Sequence, residues 1–287
     1  MSNKILVTGA TGNIGTPLVA NLKAANANFA VMRSKPSADS STETRVADFN
    51  DLAALTRAFA GIDTLFLLLP LVENKLELAQ NAITAAKQAG VKHIVRSSGA
   101  GADAQSPFAL PKLQGQIDDL IIASGASHNI AHTILRPAGF MQNYITYQSQ
   151  AIKDGTIYMA DGGQAQSLID TRDIADVAAK VLQAPTAHAG RSYTLTGSAG
   201  ITGVQAAAVI ARAIGKPVQH VSVPTEAAVA TMQQWGMPAF NINILDSLNK
   251  VISTGSASAV LPDTETLLAR TPRTFATFVE NNVAAWK

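Results

Sequence analysis

The chain has 287 residues, 47% of them hydrophobic and 15% charged, which excludes a disordered chain and suits one large domain or two small ones. Lys plus Arg number 22 and Asp plus Glu 20, a formal net charge of +2, so the clustered basic excess of a nucleic-acid binder is missing. There is no cysteine, which excludes disulfides, thiolate metal sites, iron–sulfur clusters and a Cys nucleophile.

From the N-terminus, Lys4 is followed only by Ile5-Leu6-Val7 before polar residues and glycines, too short for the ~7–15-residue apolar core of a signal peptide. Short apolar runs then alternate with helical patterns. Strands are predicted at Lys4–Thr8, Phe29–Arg33, Thr44–Ala47, Thr64–Leu69, His93–Ser97 and His132–Arg136, and helices at Ile14–Ala25, Leu52–Ala60, Lys75–Ala89 and Pro111–Ala123. Asn50-Asp51 can cap the helix at Leu52, and Gly61 and Gly90 stand where helices end. The stretch Pro36–Thr42 is loop-like. The longest apolar run, Leu65 to Val72, falls far short of the ~20 residues of a membrane span, so a soluble, cytoplasmic protein is expected. The runs Ile5-Leu6-Val7 and Leu65-Phe66-Leu67-Leu68-Leu69 are apolar on both faces, as in strands covered by helices on both sides.

Beyond Arg136 the regularity falls. Ala151–Asp161 is short and turn-rich, Arg172–Gln183 is helical, and Ser192–Leu195 is a strand. Val204–Ile214 is a helix ended by Gly215, Val218–Val223 another strand, and Thr225–Lys287 mostly helical. The pattern predicts an α/β chain: a doubly wound parallel sheet with right-handed crossovers, and a smaller C-terminal α+β lobe for the substrate. Residues 1–153 would form the core, with 170–197 returning to it, and 154–169 plus 198–287 the lobe.

The sharpest local signal is Gly9-Ala10-Thr11-Gly12-Asn13-Ile14-Gly15, which follows the first strand and opens a helix. Gly9 permits the tight turn, Gly12 lets backbone approach a pyrophosphate, and Gly15 lets the helix pack on the strand. Amides and dipole at that helix start favour phosphate, so Gly9, Thr11, Gly12, Asn13, Ile14 and Gly15 are assigned to a dinucleotide. An NAD-binding chain usually has an acidic residue ~20 residues further on, at the end of the second strand. Here that place holds Arg33, whose guanidinium can take a 2′-phosphate in a bidentate grip, and the predicted cofactor is NADP(H).

The Thr8–Gly15 turn, Arg33, Asp48-Phe49, the Gly90–Val95 entry to the fifth strand, Leu135–Asn143 and Asp170–Ala175 together resemble the NmrA-like group of atypical short-chain dehydrogenase/reductases, in order and across nearly the whole chain. The resemblance implies a Rossmann fold with NADP(H) over the strand ends. It implies Asp48 and Phe49 near the adenine, Leu68, Leu69 and Pro70 along the ribose, and Pro137, Gly139 and Phe140 near the nicotinamide. It also implies that Ser97 lies at the cofactor, with Ser98 beside it at the strand end, and that Lys112 holds the nicotinamide ribose.

The chain departs from the superfamily at one place. Short-chain dehydrogenases use Tyr-x-x-x-Lys, and the matching segment reads Phe108-Ala109-Leu110-Pro111-Lys112. Phe108 has no exchangeable proton and cannot be a general acid. Tyr144, with Tyr147 as an alternative, is the nearest candidate for a substitute donor, so the catalytic assignments are Lys112 and Tyr144. Ketone reduction and sugar epimerisation are disfavoured. A cationic dye becomes neutral on accepting hydride, and a quinone gives a phenolate that water protonates. The expected function is therefore NADPH-dependent hydride transfer to a quinone, dye or other apolar conjugated electrophile. The alternative is an NADP(H)-sensing regulatory protein with little catalysis, and a third is reduction of a C=C or C=N bond.

Other spacings are weaker. His128 and His132 are four apart without an acidic partner, so no metal is assigned. Ser247-Leu248-Asn249-Lys250 has S-x-x-K spacing but no companion motif. Met232, Trp235, Met237, Pro238 and Phe240 suit either a lid over an apolar substrate or core packing. Asp173 is expected to brace a helix. The expected partner is a small apolar or aromatic substrate, with no nucleic acid or membrane, and the chain would be a monomer or homodimer.

Overall fold

The computed structural model describes residues 3–37 and 40–287; residues 38 and 39 of the expected Pro36–Thr42 loop, and the side chains of 126–128, including that of His128, lie outside the described residues. The first part of the chain gives β1 (Ile5–Val7), α1 (Gly15–Ala24), β2 (Phe29–Arg33), β3 (Glu43–Val46), α2 (Leu52–Phe59), β4 (Thr64–Leu67), α3 (Lys75–Ala89), β5 (His93–Ser97), α4 (Ala109–His128) and β6 (Ala131–Pro137). Then follow α5 (Asn143–Thr146), α6 (Ser149–Lys153), β7 (Thr156–Met159), α7 (Thr171–Gln183), β8 (Arg191–Leu195), α8 (Gly203–Ile214), β9 (Gln219–Ser222), α9 (Thr225–Gln234), α10 (Ala239–Ser253), α11 (Asp263–Leu268) and α12 (Phe275–Asn282).

Seven strands form one sheet in the order β3-β2-β1-β4-β5-β6-β8. The pairs β1–β2, β2–β3, β1–β4, β4–β5 and β5–β6 are parallel, with Leu6 in register with Ala30 on one side and Leu65 on the other. This is the doubly wound Rossmann-type arrangement expected from the alternation of strands and helices. The order reverses between β1 and β4, and in open sheets of this kind a ligand binds beyond the carboxyl ends of the strands at that switch point. Every residue of β1 and β4 is buried, as their doubly apolar runs required, and so is every residue of β5.

The chain forms two compact units: Met1–Gln105, Pro111–Arg136 and Ile174–Tyr193 in one, and Ser106–Leu110, Pro137–Asp173 and Thr194–Lys287 in the other. The first has a core of Leu6, Leu55, Phe59, Leu65, Leu67, Leu78, Ile94 and Ile117 among others. Asp51 caps α2 by accepting from the Ala54 amide at 2.8 Å, and Gly90 ends α3 in the left-handed conformation. The α4 helix continues past the expected Ala123 to His128, and Asn129 then turns with φ +57°.

The second unit packs Met141, Ile157, Leu168, Ile210, Phe278 and Trp286. Its small parallel pair, β7 with β9, draws on a stretch whose first half had looked only turn-rich. Thr202 and Gln205 form a capping box at α8, and the Trp286 indole N–H donates to Tyr144 O at 3.0 Å. Asp173 accepts from Arg270 Nη2 at 2.6 Å and from the Arg273 amide at 2.7 Å, so it braces the C-terminal segment. Among the described residues, no helix is long and apolar enough to cross a membrane.

Candidate functional site

The first unit assembles an open turn at the switch point. Gly9 has φ +66°, and a Cβ there would also lie 2.9 Å from Leu68 Cδ2. A Cβ on Gly15 would lie 2.0 Å from Gly9 O, so only glycine lets α1 begin there. Gly12 differs: its nearest neighbour to an added Cβ is Gly9 O at 3.5 Å, and its φ is not positive. Among the described residues nothing demands glycine at position 12, and its bare backbone leaves room for the close approach of a ligand. Thr11, Gly12 and Asn13 are exposed, and α1 starts with no side-chain cap and no acidic residue in its first turn. That end is left open to an anion. The Thr8 hydroxyl donates to Phe66 O at 3.0 Å and accepts from the Leu68 amide at 2.8 Å, fastening the ends of β1 and β4 together.

Arg33 ends β2, half-buried, and its Nε is shielded from solvent with no hydrogen-bond partner among the described residues. A buried guanidinium N–H without an acceptor calls for an anionic one. Asp48 is exposed, and its carboxyl is held below the usual range by the Asn50 amide and side chain, both donating at 2.8 Å. Phe49 is half-buried against the core, and Asn81 donates to its carbonyl at 3.0 Å. Leu68 is half-buried, Leu69 buried and Pro70 exposed, along the segment that leaves β4.

At the carboxyl end of β5, Ser97 and Ser98 are buried. The Ser98 amide donates to Leu135 O at 2.7 Å, while its hydroxyl has no hydrogen-bond partner among the described residues. Lys112 is exposed near the start of α4. Behind it lies a buried ionic cluster. The Arg96 guanidinium touches the Asp118 carboxylate, donates to Gln114 O at 3.2 Å and donates to Gln114 Oε1 at 2.7 Å. Arg136 Nε stands 2.9 Å from the other Asp118 oxygen, and Lys75 Nζ 3.5 Å from Gln114 Oε1. Burial, with Arg136 as a like-charged neighbour of Arg96, lowers Arg96 to about 9; burial, with Arg96 as neighbour, lowers Lys75 to about 8. Both stay cationic at neutral pH.

The remaining predicted residues belong to the second unit. Pro137 is buried, Gly139 exposed, and Phe140 half-buried where it bridges to Ile169. Phe108 is half-buried, with its amide donating to Ser106 Oγ at 3.2 Å. Tyr144 is 4% exposed, edge-on to Phe275 with ring centroids 4.9 Å apart, and its hydroxyl meets Met159 Sδ at 3.8 Å. Burial, and then Asp161, push its phenol well above the usual range. Tyr147 is 79% exposed. Ser247 of the S-x-x-K stretch is buried and accepts from the Leu110 amide at 2.9 Å, a structural use. In the lid segment Met232 is buried and Trp235 is 75% exposed.

The structure thus brings the glycine turn, Arg33, Asp48, Phe49, Leu68–Pro70, Ser97 and Lys112 into the first unit. Sequence reading missed Lys75, Arg96, Gln114 and Asp118. Their signal was a charged residue inside an otherwise strand-like run, His93-Ile94-Val95-Arg96-Ser97, and an Asp following Ile117 on the inner face of a helix.

The chain matches the NmrA-like family over residues 1–276. It is 35% identical over 288 residues to the NAD(P)H azoreductase of Xenophilus azovorans, covering 98% of this chain and 99% of the relative. Among solved structures it is similar to the NADPH-dependent quinone oxidoreductase of Escherichia coli complexed with NADPH (27% identity, TM-score 0.86, 96% of this chain and 99% of that one). It is also similar to Citrobacter sp. triphenylmethane reductase complexed with NADP(H) (26% identity, TM-score 0.83, 98% and 99%). The glycine turn, the half-buried arginine after the second strand and these matches agree: the chain belongs to the NmrA-like family.

Proposed function

We propose that the protein is an NADPH-dependent reductase that passes a hydride to a quinone, dye or similar apolar conjugated electrophile. The observation that carries this is the pairing of an open, uncapped glycine turn with the unpartnered Nε of Arg33 one strand away. The residues present fit NADP(H): the first-turn amides of α1 take the pyrophosphate, and Arg33 takes the 2′-phosphate. Asp48 and Phe49 flank the adenine, Leu68 to Pro70 and Ser97 line the path of the ribose, Lys112 grips the second ribose, and Pro137, Gly139 and Phe140 border the nicotinamide. When bound, the cofactor supplies the hydride.

Positioning is the main contribution of the protein. Phe108 has no proton to give, and the Tyr144 hydroxyl is turned to Met159 Sδ inside a packed core. Tyr144 is therefore read as a packing residue, and the acceptor takes its proton from water. That favours quinones and dyes over simple ketones. The first unit serves as the cofactor unit and the second as the substrate lobe, and a cytoplasmic setting goes with NADPH as reductant.

An NADPH-oxidation assay with a panel of quinones and of azo and triphenylmethane dyes tests the proposal. Turnover of at least one acceptor above background is expected. NADPH binding without turnover of any acceptor points to the sensor alternative, and absence of both overturns the proposal.

A further inference from the structure

Arg96 is an anomaly in β5. It lies in register between Leu67 of β4 and Ile134 of β6, in the middle of the sheet, and it is 1% exposed. Its three partners, the Asp118 carboxylate, Gln114 O and Gln114 Oε1, are all on α4. Asp118 already has a cation in Arg136. Lys75, whose Nζ lies 3.5 Å from Gln114 Oε1, brings a third cation to the cluster, and a buried surplus of positive charge costs stability.

Charge neutralisation therefore does not explain Arg96. Geometry does. A guanidinium is a planar fork, and this one holds a main-chain carbonyl, an amide oxygen and a carboxylate on successive turns of one helix. Such a grip fixes both the rotation and the height of α4 against β5. Lys112 is two residues before Gln114 on that helix, and Ser98 is two residues beyond Arg96, just past the end of that strand.

We infer that Arg96 is a positioning residue for the cofactor-binding edge, locking the start of α4 to the end of β5 so that Lys112 is held at a fixed place relative to Ser98. This rests on the reading of Lys112 as a ribose ligand. A helix free to shift by about an ångström would carry Lys112 with it, and misplacement on that scale costs up to about a hundredfold in rate or binding. Arg96 touches neither cofactor nor substrate in this account and acts only through α4.

The test is a double-mutant cycle read in the KM for NADPH, in steady-state oxidation with a naphthoquinone, at a temperature where circular dichroism shows every variant folded. Lys112→Met and Arg96→Met are each expected to raise KM about tenfold, with a smaller change in kcat, and the double variant is expected to be no worse than Lys112→Met alone. Arg96→Lys keeps the charge but not the fork and is expected to behave like Arg96→Met. Should Arg96→Met not fold, Arg96→Lys and Gln114→Ala, the latter with a smaller effect, are crossed with Lys112→Met instead.

Wild-type behaviour of Arg96→Lys overturns the inference, because charge alone would then suffice. So do multiplying effects in the double variant, or silence of every α4-clamp variant while Lys112→Met is impaired. A silent Lys112→Met removes the ribose reading and the inference with it, while NADPH turnover by wild type leaves the proposed activity standing.

Discussion

The two edges of the first unit to which the proposed reading assigns the dinucleotide are built in opposite ways. The β1–α1 edge is built from what is left out: three glycines without side chains and a helix start without a side-chain cap. The β5–α4 edge is built from what is packed in: Arg96, Asp118 and Lys75 are buried, with the half-buried Gln114 and Arg136 closing the cluster. The first kind of site is local in sequence and fixed by backbone sterics. The second is assembled from α3, β5, α4 and β6, and its stability depends on charges that burial disfavours.

The largest effect that can separate the two edges is at the glycine turn. Gly15→Ala places a methyl group 2.0 Å from Gly9 O, so α1 must shift. Stability should fall by about 1–3 kcal/mol and NADPH binding should be lost with it. Gly12→Ala meets nothing closer than 3.5 Å, so its melting temperature should match wild type while NADPH affinity falls. Thermal melts beside fluorescence titrations check both, and a Gly12→Ala protein that binds normally would show that no ligand approaches that backbone.

Acid should strike the packed edge first. His93 is 3% exposed, and burial, then His132 and His188, lower it to about 4. Thr133 donates its hydroxyl proton to His188 O, so His93 Nε2 is the donor in the 2.9 Å contact between His93 and Thr133, and burial favours the neutral ring. The unfolded chain takes up this proton near pH 6.5 and the folded chain only near 4. Stability is therefore lost as pH falls through that window, by up to about 3 kcal/mol. A urea midpoint measured against pH checks it, and a flat profile from 6.5 to 4 would contradict it.

Lys75 works in the other direction. Its folded pKa of about 8 lies below the unfolded value, so the folded state carries the cost of a buried ammonium below pH 8, and the cost fades as pH rises toward 10.5. Lys75→Met should therefore stabilise the protein at pH 7, by up to about 3 kcal/mol, and should lose most of that advantage by pH 10. Destabilisation at pH 7 would mean that the Gln114 contact outweighs desolvation.

The smallest effect is expected at Tyr144. Its hydroxyl meets only a thioether, so Tyr144→Phe should change stability by less than about 1 kcal/mol and leave turnover of any quinone substrate unchanged. A large loss of kcat would restore it as the proton donor.

These contrasts explain what the sequence could disclose. The glycine turn was legible because its glycines stand close together in sequence, with Gly9 and Gly15 fixed by local sterics, and β2, α3 and β5 fell at their expected bounds because short apolar runs and helix-ending glycines mark them. The Arg96 cluster was not legible, since no periodicity announces that residues 75, 96, 114, 118 and 136 will meet. Tyr144 was picked as a donor from its closeness in sequence to the Pro137–Phe140 loop. Only packing shows its hydroxyl directed to Met159, because a tyrosine in a core and one in a site look alike in a string of letters.

The most direct test of the central claim is calorimetric titration of wild type and Arg33→Asp with NADPH and with NADH. Wild type should bind NADPH about 10–100-fold more tightly than NADH, the worth of one charge-assisted contact to the 2′-phosphate, and Arg33→Asp should lose that preference. Equal affinity for the two cofactors in wild type, or no heat with either, would contradict the account.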